Sequence, residues 1–184
     1  LPFKTFKFQH FVPTDTKLVI TQADPARRLV TEINGLPAGE AYATAIGSQV
    51  QALDAEVFSK NPLLLRLGDD SYIRSIQNLH PDGSLSFFCA IEEGMVLSVG
   101  RGIDALQTVN AAFASLQKSI ANAPVVIGFD CILRRIEMEH DGLDEQVGQI
   151  LAKNNVIGFS TYGEQFNAIH VNQTFTGIAL GAEP

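Results

Sequence analysis

Basic runs are missing from this chain. Its 13 Lys and Arg are outnumbered by 20 Asp and Glu, leaving a formal net charge of −7. Nucleic acids and anionic membrane surfaces recruit clustered Lys and Arg, so neither is an expected partner. Long hydrophobic runs are missing too, and a bilayer-spanning helix needs about 20 apolar residues in a row. The opening LPFKTFKFQH has neither the apolar centre nor the cleavage site of a secretory signal. It also lacks an initiator Met, and the chain is expected to be excised from a longer protein. Cysteine is scarce. Cys89 and Cys131 lie far apart in apolar stretches and form no C-x-x-C pair, which excludes a disulfide framework and points to a reducing cytoplasm. No G-x-S-x-G elbow and no HxH or HExxH pattern occurs. Glu92-Glu93, before Gly94, reads as a solvated turn and not as a catalytic carboxylate pair.

What is present is a globular composition, 46% hydrophobic and 18% charged. Leu18 to Thr21 and Leu29 to Ile33 read as strands joined by the turn-rich QADPARR. Asn34-Gly35 closes a turn, and Pro37 opens a helix carrying Ala38, Ala41, Tyr42 and Ala45. A short helix is expected over about residues 49–59. Leu63 to Leu67, Tyr72 to Leu79, Leu85 to Ile91 and Met95 to Val99 read as an antiparallel meander, with the hairpin turn HPDGS inside it. Asp104 is placed to cap a helix in which Leu106, Val109, Phe113, Leu116 and Ile120 share a face. Pro124 ends it. Val125 to Phe129 is an apolar run of strand length. Asp141 is expected to cap the next helix, with Leu143, Val147, Ile150 and Leu151 on one face. Val156 to Ser160 and Phe175 to Leu180 read as the last strands. The tetrapeptide VIGF occurs at Val126 and again at Val156 with a helix between. This fits a βαβ unit whose two strands are central and buried on both faces. The expected fold is therefore α+β: a mixed sheet with an antiparallel meander, a βαβ-like C-terminal unit and helices packed on the sheet. Residues 1–35 are expected to be a lead-in from an upstream region, and 36–184 the domain proper.

Chemistry gathers at the ends of the VIGF strands. Asp130, Cys131, Arg134 and Arg135 follow the first, and Thr161, Tyr162, Gly163 and Glu164 follow the second. Loops beyond the carboxyl ends of parallel strands are the usual ligand position. Arg134 suits a carboxylate or phosphate, Glu164 an amine, and Gly163 allows close backbone approach. The competing reading makes Arg134 and Glu164 a structural ion pair. His170, Asn172 and Thr174 alternate, so a strand would place them on one face, either lining a pocket or facing solvent. Asn172-Gln173-Thr174 also fits a glycosylation sequon, which a chain without a secretory signal does not use. Gly100-Arg101-Gly102-Ile103-Asp104-Ala105 has the spacing of a dinucleotide fingerprint. However, it follows a meander strand, and Asp104 would repel a pyrophosphate. Cys131 as a nucleophile, partnered in space by His170, is the enzymatic alternative. Against it, a buried thiol is usually inert.

Three stretches carry a family resemblance. VIGFSTYGEQF with HVNQTFTGIAL resembles the end of the FIST C part of the FIST sensory domain. That family shows a strand, a G-F-x-[ST]-x-G-E turn and an x-N-x-T strand. VVIGFDCILRR (Val125 to Arg135) is similar to its strand ending in Cys and Arg. RRLVTEINGLPAGEAYA (Arg27 to Ala43) resembles the hand-over from FIST N to FIST C. The resemblance implies a non-enzymatic, cytoplasmic, bacterial signal-input domain without a cofactor. It implies a small polar ligand such as an amino acid, and an output module such as a histidine kinase, chemotaxis transducer or cyclic-dinucleotide enzyme. It places the ligand among Cys131, Arg134, Tyr162, Gly163, Glu164, His170, Asn172 and Thr174. Some relatives are linked to haem and nitric oxide, for which His170 would be the ligand. A homodimer is compatible with the sequence.

Overall fold

The computed structural model describes residues 1–120 and 123–182. In chain order its elements begin with β1 (Phe3–Phe8), β2 (Phe11–Asp24), β3 (Leu29–Ile33), β4 (Leu36–Pro37) and α1 (Ala38–Ala45). A 3-10 turn (Val50–Ala52) leads to α2 (Ala55–Lys60), β5 (Leu63–Leu67), β6 (Asp70–Arg74), β7 (Ile76–Leu79), β8 (Leu85–Phe87) and β9 (Val96–Gly102). Then come α3 (Ala105–Ser119), β10 (Val125–Cys131), α4 (Ile132–His140), α5 (Asp144–Lys153) and β11 (Val156–Thr161). The chain closes with β12 (Glu164–Phe166), β13 (Ile169–Val171) and β14 (Phe175–Leu180). The fold is α+β, as the sequence predicts.

Two compact units form, one from residues 11–102 and one from residues 1–10 with 103–184. The first is an antiparallel sheet in the order β6-β5-β9-β2-β3-β8-β7, with β4 added beside β3. Tyr72 to Leu79, expected as one strand, is two. The chain leaves β6 at Arg74 and enters β7 at Ile76, at opposite ends of the strand order. A single residue thus bridges the two edges, and the sheet nearly closes into a barrel. Its interior holds Leu18, Ile20, Val30, Leu63, Leu85 and Leu97, with Tyr42 of α1 and Phe58 of α2 packed in. The Gly100 to Ala105 stretch is no phosphate loop. β9 runs antiparallel to β2 and β5, and a Cβ on Gly100 would lie 2.7 Å from the Pro62 carbonyl oxygen. Glycine is needed there for strand packing.

The second unit is a mixed sheet in the order β1-β14-β10-β11. β1 and β10 flank β14 antiparallel, and β10 pairs β11 in parallel. The two VIGF copies align residue for residue, Val126 with Val156 through Phe129 with Phe159. Helices cover the face on which Val109, Phe113 and Leu116 of α3 meet Val126, Phe175 and Ala179. The Phe175 ring stacks on Phe8 at 5.1 Å and Phe6 at 5.7 Å. Asp104 caps α3 as expected, accepting from the Gln107 amide at 2.8 Å. Asp104→Ala is expected to cost about 1 kcal/mol in a urea melt.

Four expectations in this unit need correcting. β11 is not central: it is the sheet's outer strand, with Ile157 62% and Phe159 65% exposed. An apolar run alone does not say whether both faces are covered. Arg134 and Arg135 sit not in a loop but on α4, which starts directly after β10. Asp141 consequently ends α4 instead of capping α5, and Gly142 at φ 66° turns the chain. Finally, His170, Asn172 and Thr174 do not share a strand face. β13 stops at Val171, and Gln173 at φ 49° bends the chain before β14.

Candidate functional site

The last residues of β10 are polar, and α4 follows without a gap. That continuity puts Asp130 and Arg134 at i,i+4, where side chains meet. Arg134 Nη1 donates to both Asp130 carboxylate oxygens, at 2.8 and 2.7 Å. Arg134 is 1% exposed, its guanidinium 5.9 Å from the Phe8 ring centre and 5.7 Å from that of Phe175. Its Nη2 is buried without a hydrogen-bond partner among the described residues. Burial pushes the Asp130 carboxyl upward, and the charge of Arg134 pulls it partly back. One turn along α4, Glu137 Oε1 lies 2.9 Å from His10 Nε2, both side chains buried.

Behind this pair stands Glu164, the first residue of β12. Its buried carboxylate accepts from the Thr161 hydroxyl and, at 2.7 Å, from Thr174 Oγ1. Burial pushes its pKa up to about 7 against the pull of these two hydroxyls, and the Asp130 charge adds to the rise. Cys131 is fully buried and its thiol is pushed up to about 11, first by burial and then by the Glu164 charge. At neutral pH it is a thiol and not a poised thiolate. Asn172 is fully buried, and neither end of its side-chain amide has a partner among the described residues. A buried side chain of that kind is no glycosylation acceptor.

Of the residues singled out in the sequence, Cys131, Glu164 and Thr174 lie in one buried polar cluster, which Arg134 joins through Asp130. Asn172 follows Val171, the ladder partner of Glu164. The Arg134–Glu164 ion pair does not form, because Asp130 takes that place. Gly163 and His170 make a separate close contact: a Cβ on Gly163 would lie 2.1 Å from His170 Nε2. Tyr162 points away, 88% exposed.

In front of Asp130 a cleft of about 420 Å³ opens between α4, α5 and the face of β10 and β11, running along β11 from Val156 to Ser160. Its charged walls are Asp130, Arg135, Glu139 and Asp144, and Gly128, Gly148 and Gly158 are among its lining. Arg135 Nε donates to Glu139 Oε1 at 2.8 Å, and its Nη1 reaches Ser160 Oγ at 3.4 Å. Residues 38–167 match the family model of the FIST C domain. The chain belongs to the FIST C domain family. No curated protein and no solved structure matches it. The match takes in β10, α4, α5, β11 and the Gly163-Glu164 turn, and stops before Asn172 and Thr174.

Sequence reasoning missed the His10–Glu137 contact and the cleft of this FIST C domain. Glu139 and Asp144 join it only once α4 and α5 are known to be separate helices. Gly148 carries a signal that was readable: a glycine inside a helical pattern costs about 1 kcal/mol relative to Ala. A Cβ there would meet nothing within 4 Å. Gly148→Ala is therefore expected to raise stability by roughly 0.5–1 kcal/mol, read as a shift in the urea midpoint.

Proposed function

We propose that this FIST C domain senses a small ligand bearing both an ammonium and a carboxylate, an amino acid being the simplest case. The ligand sits in the cleft between α4, α5 and the face of β10 and β11. The observation that carries this reading is the charge pattern of the walls, three carboxylates and one guanidinium above apolar side chains. Asp130 and Asp144 suit an ammonium, and Arg135 a carboxylate. Asp130 belongs both to the cleft and to the buried cluster. A cation seated beside it offsets the charge that helps hold the Glu164 proton, so Cys131, Arg134, Glu164, Asn172 and Thr174 act as the wall that registers occupancy. Gly163 and His170 set the turn into the β12–β13 hairpin, with Tyr162 exposed for an output partner. The partner is a kinase, transducer or cyclic-dinucleotide enzyme. The domain binds and does not transform, in keeping with the protonated, buried state of Cys131. A reducing cytoplasm fits two free, buried thiols. Among the described residues no helix is long and apolar enough to cross a membrane.

The test is a thermal-shift screen of free amino acids, with nucleotides and haem as separate arms. A true ligand at about 100 times its Kd stabilises by about 2.7 kcal/mol. Arg135→Ala and Asp144→Asn, both at exposed positions, should abolish that gain while moving apo stability by about 0.5 kcal/mol or less. A panel without any amino-acid response, or a response indifferent to both changes, rejects this reading.

A further inference from the structure

The two edges of the sheet β1-β14-β10-β11 are built differently. β1 carries Lys4 and Lys7 and is preceded by Pro2, residues that discourage a further strand from adding to an edge. β11 has none of these. From Val156 to Gly163 there is no charged residue and no proline. The strand pairs with β10 in unbroken register over its whole length, so no bulge twists it away. Val126 N donates to the Asn155 carbonyl at 3.0 Å. In a parallel ladder that phase turns the main chain of Ile157 and Phe159 toward β10, and the main chain of Val156, Gly158 and Ser160 outward. On the same strand, the Ile157 and Phe159 side chains are more than 60% exposed, Phe159 leaning on Phe129 at 5.4 Å.

An outward row of N–H and C=O groups is matched by another extended backbone and not by a helix. We infer that the occupant is a second copy of this chain, its β11 paired antiparallel to the first about a two-fold axis at Gly158. With that axis, Val156 stands opposite the partner's Ser160, and the three outward-facing residues of each strand meet one another. Ile157 stands opposite the partner's Phe159, so the exposed apolar side chains become a cross-strand cluster. Gly158 meets the partner's Gly158, where neither carries a side chain to hold the backbones apart. A chain of net charge −7 repels its own copy, and this uncharged edge adds no like-charge contact of its own to that cost. The same strand lines the cleft through Gly158 and Ser160, so association is read on the chain with no cleft ligand added.

Sedimentation velocity on the 184-residue chain, with amide hydrogen exchange across a concentration series, tests it. The expected result is a monomer–dimer equilibrium in which the amides of Val156, Gly158 and Ser160 become protected as concentration rises. Those of Ile157 and Phe159 are protected throughout. Ile157→Lys and Phe159→Lys should each weaken association at least about tenfold, and Ile157→Lys, at an exposed position, should leave the melting temperature of the dilute chain unchanged. A chain that stays monomeric to about 100 µM, ample for a dimer of Kd ~10 µM, overturns the inference and leaves the edge to a strand of another protein. A dimer whose Val156, Gly158 and Ser160 amides exchange fast at every concentration overturns it as well.

Discussion

Glu164→Gln is expected to abolish a fall in stability of about 3 kcal/mol that the unaltered domain undergoes between roughly pH 4.5 and 7. The sign follows from where the proton resides. The folded pKa is about 7, above the ordinary value of 4.5 that the unfolded chain has. Below pH 4.5 both states hold the proton and the residue contributes no pH dependence. Between the two values the folded state keeps a proton that the unfolded state has released, so stability declines as pH rises. Above pH 7 both are ionised, and the folded state bears the full cost of a buried carboxylate. The separation of about 2.5 pH units, at about 1.36 kcal/mol each, gives the size. Glutamine is neutral at every pH and can still accept from one threonine hydroxyl. The variant should therefore lie within about 1 kcal/mol of wild type at pH 5 and above it at pH 8.5. Urea melts of both proteins across that range give a difference curve in which groups that do not interact with Glu164 cancel. A flat difference curve would remove Glu164 from the role of buried proton store.

That same residue separates what could be read from sequence from what could not. The VIGF repeat announced two similar strands, and in the fold they pair in register. Asn34-Gly35 read as a tight turn, and both residues have positive φ, at 54° and 77°. The gathering of Glu164 with Cys131 was legible because both follow apolar runs that pair as neighbouring strands, and Thr174 reaches them from just before β14. What lay between those runs was not. α4 reads ILRRIEMEH, a charged segment with no turn residue between it and β10, and its buried positions include Arg134. Apolar periodicity cannot flag a helix that packs an arginine inward. Once α4 is lost, Asp130 and Arg134 have no reason to meet, and the cleft has no back wall. The edge position of β11 was hidden for the opposite reason. Ile157 and Phe159 look like core residues in any linear reading, and only the strand order reveals that nothing described pairs beyond them.

Asp130→Asn is expected to be the most damaging conservative change in the second unit, at about 3–5 kcal/mol. The reason is the partner it leaves behind. A guanidinium keeps its charge at any accessible pH. Arg134 is 1% exposed, with its guanidinium over the Phe8 and Phe175 rings and Nη2 already without a hydrogen bond among the described residues. Losing the carboxylate strands that charge. The reverse change, Arg134→Met, should cost less. The Asp130 side chain is 19% exposed and its carboxyl, already raised by burial, can escape the penalty by taking up a proton. The double variant should be less damaged than the sum of the singles by about 2 kcal/mol or more, since removing both charges leaves neither unpaired. Urea melts of the four proteins at pH 7 complete the cycle. Strict additivity, or an Asp130→Asn cost below about 1 kcal/mol, would mean that water reaches the guanidinium and that the pair does not hold the wall between the cleft and Glu164. A strong coupling with Arg134→Met milder than Asp130→Asn would identify Asp130 as the residue that keeps the buried guanidinium of Arg134 in place.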